Sequence, residues 1–193
     1  MTKRPDATLP QFERDAFAFL GPHPERGGFV VRTFHPAATA VEIRTSTGEL
    51  TPMKRIKEKD KAEDGLYEAH ISDASDYRLV ITYPGGHMLE VDDPYRYGRV
   101  LTDFDLHLFG EGTHHRAFEK LGAHRISVGT TVGVHFAVWA PNADRVSLVG
   151  DFNGWDGRVN PMRLLAPAGI WEIFIPDLHD GENYKFEIRS KTG

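Results

Sequence analysis

The chain has 193 residues, 40% hydrophobic and 26% charged, with 23 basic against 28 acidic side chains and a formal charge of −5. That acidic balance argues against a nucleic-acid partner. No apolar run is long enough to span a membrane, and the lack of cysteine excludes disulfides and thiolate chemistry. The start, Met1 to Pro10, has no apolar stretch of a secretion signal, so a cytoplasmic location is expected.

Residues 1–8 read as a tail. From Pro10 to Leu20, Phe12, Ala16, Phe17 and Leu20 recur at helical spacing, and Gly21-Pro22 stops the run. Short strands separated by Gly, Pro and Asp turns follow. The charge run Lys54 to Asp64 mixes both signs between strands and reads as a solvated loop. Pro84-Gly85-Gly86 reads as a hairpin turn between Tyr83 and Met88-Leu89-Glu90-Val91. Asp92 to Arg125 differs in character, with a short apolar run at Leu106 to Phe109 and a helical turn expected around Arg116 to Leu121. Beyond it, Tyr184, Phe186 and Ile188 alternate with Lys185, Glu187 and Arg189, while Trp171, Ile173 and Ile175 alternate with Glu172 and Phe174. A period of two predicts sheets with one buried face.

The second half repeats the first. Phe34-His35-Pro36 is echoed by Trp139-Ala140-Pro141, and Val41-Glu42-Ile43 by Val146-Ser147-Leu148. Pro52-Met53-Lys54 returns as Pro161-Met162-Arg163, Gly65-Leu66-Tyr67-Glu68 as Gly169-Ile170-Trp171-Glu172, and Tyr77 to Ile81 as Tyr184 to Ile188. The spacing between copies stays nearly constant, as expected of a tandem duplication. Each unit is too long for a solenoid repeat and predicts its own β-sandwich. The expected fold is therefore all-β: two tandem sandwiches, a short amino-terminal helix and a partly helical linker. The boundaries are residues 9–109 and 110–193. In this register the second copy lacks the counterpart of Met88 to Val91, so the chain is expected to be a piece of a longer protein.

Phe136 to Ala143 followed by Val146 to Trp155, with Gly169-Ile170-Trp171-Glu172 and Tyr184 to Ile188, resembles the family-48 carbohydrate-binding module, an immunoglobulin-like sandwich of α-glucan enzymes. Ala16 to His23, Phe29 to Pro36, Asp93 to Gly98 and the Gly110-Glu111-Gly112-Thr113-His114 box resemble the amino-terminal half of bacterial glycogen branching enzymes. The resemblance implies accessory domains that position α-1,4-glucan and support a catalytic (β/α)₈ barrel. That barrel transfers glucan segments to 6-hydroxyls by retaining carboxylate chemistry. No segment here resembles the barrel, so this chain alone is expected to be inactive, without cofactor, and monomeric. The alternatives are a stand-alone glucan-binding module, or the same region of a debranching or trehalose-forming enzyme.

The resemblance also marks three residues for sugar contact. Trp155, after Asn153-Gly154 in a turn, is positioned to stack on the C–H face of a pyranose, or else packs on its own turn or on the barrel. Lys185 matches a lysine that bonds glucan hydroxyls, although strand alternation favours plain solvent exposure. Asn153 either bonds a hydroxyl or holds the turn, and the turn is favoured. Where glucan-binding members place a second tryptophan, this chain has Ser190-Lys191-Thr192-Gly193. Weak affinity is therefore expected, about millimolar or roughly −4 kcal/mol.

Trp139 and Trp171, each flanked by apolar residues in a strand, are expected in the core. His107, His114, His115 and His124 are read as loop residues rather than metal ligands. Asp92, Asp93, Asp103 and Asp105 are read as turn and cap residues.

Overall fold

The computed structural model describes residues 15–56 and 65–190. Among these residues, fourteen strands form four antiparallel sheets. In the first half these are β1 (Gly21–Glu25), β2 (Gly28–Phe34), β3 (Ala40–Thr45), β4 (Leu50–Pro52), β5 (Lys54–Ile56), β6 (Leu66–Ile71), β7 (Tyr77–Thr82) and β8 (Met88–Val91). One sheet has the order β1-β2-β6-β5 and the facing sheet β4-β3-β7-β8. In the second half come β9 (Gly122–Val128), β10 (Thr131–Trp139), β11 (Ala143–Gly150), β12 (Arg163–Leu165), β13 (Ile170–Pro176) and β14 (Tyr184–Ser190). Their orders, β9-β10-β13-β12 and β11-β14, reproduce β1-β2-β6-β5 and β3-β7.

The duplication extends to single hydrogen bonds. His35 N donates to Gly65 O at 2.7 Å, as Ala140 N does to Gly169 O at 2.9 Å. Met53 N donates to Val41 O at 2.9 Å, and Met162 N to Val146 O at 2.8 Å. The Tyr67 hydroxyl donates to Ala38 O at 2.9 Å; its counterpart, the Trp171 indole, donates to Ala140 O at 3.1 Å. Gly65 and Gly169 both have positive φ and press so closely on Pro36 and Pro141 that a Cβ would fall within 3 Å of the proline. Backbone contact at that range needs glycine.

Several expectations change. Within Pro10–Leu20 the described part is a single 3₁₀ turn, Ala16–Ala18, capped by the Asp15 carboxylate, and residues 10–14 lie outside the described residues. Lys54–Ile56 of the charge run are an edge strand, and residues 57–64 are also outside. The apolar run Leu106 to Phe109 belongs to the helix α1 (Asp103–Glu111). Thr102 and Asp105 close a capping box at its start, and Gly112 at φ 69° ends it. The turn expected at Arg116 to Leu121 is a 3₁₀ turn, Ala117–Glu119. The hairpin at Pro84-Gly85-Gly86 is as expected, closed by Tyr83 N to His87 O at 2.8 Å.

The largest departure concerns β13, which is buried on both faces. Trp171, Ile173 and Ile175 point into the sandwich, while Ile170 packs outward with Leu101, Ala137 and Leu165. Leu106 and Phe109 of α1 lie on that outer cluster. The linker thus covers a face that periodicity alone assigns to solvent. Trp139 moves the other way. Val134, Phe136 and Val138 of β10 point into the core, so Trp139 faces outward beyond the linker's cover and is 61% exposed. Trp171 is buried as expected.

A continuous apolar cluster joins the two sandwiches, running from Ala16, Leu20, Phe34 and Leu66 through Tyr95 to Met162, Val146 and Leu148. The Tyr95 hydroxyl reaches Val159 O at 3.1 Å and Pro161 O at 3.2 Å. Among the described residues no helix is long and apolar enough to cross a membrane.

Candidate functional site

The turn after β11 carries the site. Gly150 leads into a 3₁₀ turn, Asp151–Asn153, and Gly154 follows at φ 63°. Asn153 is spent on this turn. Its Oδ1 accepts from Gly150 N at 3.0 Å, and its Nδ2 donates to Leu148 O at 2.9 Å and to Asn160 Oδ1 at 2.8 Å. Both amide protons are used, which agrees with the turn role.

Trp155 follows at φ 61°, a left-handed conformation that bulky residues rarely adopt. Its backbone N donates to Gly150 O at 3.0 Å, and its indole Nε1 to Asp151 Oδ1 at 2.9 Å. The ring is therefore held by its polar edge, and the side chain is 42% exposed. Asn183 Nδ2 donates to Asp151 Oδ2 at 3.1 Å. The Asn183 amide and then the Trp155 indole hold the Asp151 carboxyl below its ordinary pKa. Asp151 was legible only as part of the turn motif, four residues before Trp155. Asn183 had no local signal, because it lies far along the sequence and is brought in by the pairing of Tyr184 with Gly150.

Lys185 lies on the outward face of β14, paired with Val149 of β11, and its Nζ is 5.7 Å from the Trp155 ring centroid. Two of the three residues marked from sequence thus form one exposed unit, an indole with an ammonium over one face of its ring. Asn153 supports that unit from below. A flat aromatic surface with an adjacent hydrogen-bond donor suits a ligand with both an apolar face and hydroxyls.

The other polar candidates are structural. Asp93 accepts from Tyr95 N at 2.9 Å and from the Tyr77 hydroxyl at 2.6 Å, and burial pushes its carboxyl up to about 6. Burial works to raise the Asp105 carboxyl, but hydrogen bonds from Thr102, Lys120 and His114 prevail and hold it far below the usual range. His114 Nε2 lies 3.3 Å from Asp105, His107 pairs with Glu111 at 3.4 Å, and His124 Nε2 contacts Leu121 O at 2.9 Å.

This architecture defines a class: tandem sandwiches, the second with a tryptophan displayed at the turn leaving its third strand. Residues 120–193 match carbohydrate-binding module 48, described as the isoamylase N-terminal domain. Residues 6–95 match the N-terminal domain of alpha-1,4-glucan branching enzyme GlgB. The chain corresponds to the amino-terminal region of GlgB branching enzymes, a GlgB N-terminal domain followed by a carbohydrate-binding module 48.

Among similar proteins, the 1,4-alpha-glucan branching enzyme GlgB of Paramagnetospirillum magneticum is 52% identical over 93% of this chain and 23% of its own length. That of Rubrobacter xylanophilus is 47% identical over 93% of this chain and 24% of its own. The chain therefore spans about a quarter of the length of the curated relatives it matches. A solved pullulanase from Anoxybacillus sp. LM18-11 aligns over 87% of this chain and 23% of its own at 15% identity and a TM-score of 0.29, too distant to add to the assignment.

Proposed function

We propose that this region positions α-1,4-glucan for a parent enzyme that moves glucan segments to 6-hydroxyls, forming α-1,6 branches. One observation carries the reading: the exposed Trp155 indole, fixed edge-on by Asp151, with Lys185 Nζ 5.7 Å from the ring. A glucosyl unit would lay its C–H face on the indole while the Lys185 ammonium donates to a hydroxyl. The names of the relatives and of the matching module support glucan as the ligand class.

The chain itself contributes binding, and chemistry falls to a catalytic domain that is its main protein partner. In this reading the protein is a cytoplasmic monomer with units at residues 9–109 and 110–193. Titration with maltoheptaose tests the site. The chain should bind at about millimolar Kd, and Trp155→Ala should weaken binding at least about tenfold, the loss of one stacked aromatic. Equal affinities in the two proteins would refute it.

A further inference from the structure

Behind the Trp155 turn, a cleft of about 690 Å³ lies between the sandwiches. That volume falls within the roughly 300–1,000 Å³ of small-molecule sites. Its floor is apolar: Leu79 and Ile81 of β7 beside Leu89 and Val91 of β8. Phe152 and Leu178 of the second sandwich face them across the cleft.

Its charged groups are all carboxylates, and Thr33, His35, Tyr83 and Asn160 add neutral hydrogen-bonding groups. Glu90, Asp92, Asp151, Asp156 and Asp177 border it, and among the described residues no lysine or arginine does. Arginines outside the cleft already pair with four of these carboxylates. Arg44 and Arg78 pair with Glu90, Arg78 with Asp177 at 2.7 Å, and Arg158 with Asp156 at 2.7 Å. Asp92 is buried. Its Oδ2 accepts from the Tyr97 hydroxyl at 2.6 Å, whereas Oδ1, 3.1 Å from Arg96 Nε, accepts no hydrogen bond. Such a site repels anions, does not require a cation, and offers acceptors around an apolar floor. A neutral ligand with outward hydroxyl donors and apolar C–H faces meets those terms.

The cleft and the outer platform share one turn, whose residues Asp151 to Gly154 line the cleft. Asp151 borders it with one side of the turn and holds the Trp155 indole on the other. We infer that the cleft between the two sandwiches is a second glucan subsite, which takes glucosyl units of the same α-glucan chain that lies on Trp155. This rests on the glucan reading of Trp155 for its ligand class, and it gives the tandem arrangement a role that neither sandwich has alone.

The test is NMR titration of the full chain with maltoheptaose, following the Trp155 indole and the amides of Val91 and Leu178. Two variants narrow the cleft, Leu89→Trp from β8 and Ala37→Trp from an exposed turn at its rim. In the unaltered chain both sets of signals should shift. In both variants the Val91 and Leu178 shifts should vanish, the indole shift should persist, and maltoheptaose affinity should fall about tenfold through loss of the linked contact.

The inference is overturned if maltoheptaose moves the indole but not the cleft amides. Cleft shifts that survive in both variants overturn it too. So does entry of the apolar anion anilinonaphthalene sulfonate that maltoheptaose cannot displace. Cleft shifts without an indole shift would remove the Trp155 platform and leave the cleft standing.

Discussion

His135 Nε2 lies 3.0 Å from Glu172 Oε2, and both residues are buried between the second sandwich and the linker. Glu172 also accepts from Val100 N at 3.1 Å and Leu101 N at 3.0 Å, with Arg163 at 3.5 Å. One buried carboxylate thus satisfies two linker amides and two side chains, and it fastens the linker to β13. Removing one partner of such a group leaves the rest unsatisfied.

Glu172→Ala should therefore lower stability by about 3 kcal/mol, the scale for breaking a buried polar pair. Chemical denaturation would measure it, and a loss under about 1 kcal/mol would show that water replaces the carboxylate.

Acid titration should reveal two opposed groups. Burial pushes Asp93 up to about 6, so its share of stability is full below the unfolded value near 3.8 and is lost as pH rises through 6. Burial pulls His35 down from 6.5 to about 4, so its share is full above 6.5 and is lost as pH falls through 4. Each shift is worth up to about 3 kcal/mol, less for His35, whose ring borders the cleft and keeps some solvent contact. The two trends oppose each other between pH 4 and 6. Asp93→Asn should make the chain lose stability steadily on acidification over that window, and His35→Gln should make it gain. Urea midpoints at pH 4, 5, 6 and 7 would show both slopes, and parallel profiles for the two variants would contradict the assignment.

Tyr95 bridges the sandwiches through its hydroxyl, which reaches two carbonyls of the second unit, Val159 O and Pro161 O. Tyr95→Phe keeps the ring in the shared cluster but strands those carbonyls, so it should cost about 1–2 kcal/mol. A thermal melt would register the loss as one shifted transition. Two separated transitions would mean that the shared cluster does not couple the units.

Trp155 trades backbone comfort for display. A left-handed bulky residue costs on the order of 1 kcal/mol, and glycine removes that cost. Trp155→Gly should leave the melting temperature equal or raised while glucan binding falls at least about tenfold. A marked loss of stability would instead identify the indole as a packing residue.

What was legible in the sequence was local or periodic. The Gly-Pro landmarks revealed the duplication because each copy needs the same close approach, Gly65 on Pro36 and Gly169 on Pro141. The turn Asp151 to Trp155 was readable because Asn and Gly carry their conformational preference in their own side chains. Tertiary structure decided the rest. Trp139 and Glu172 exchanged their expected places because the linker covers one part of the β10–β13 face and stops short of another. Asn183 came to the site, and the cleft formed, only when distant segments packed together. Periodicity records which side of a strand a residue occupies; what lies against that side is set by the path of the whole chain.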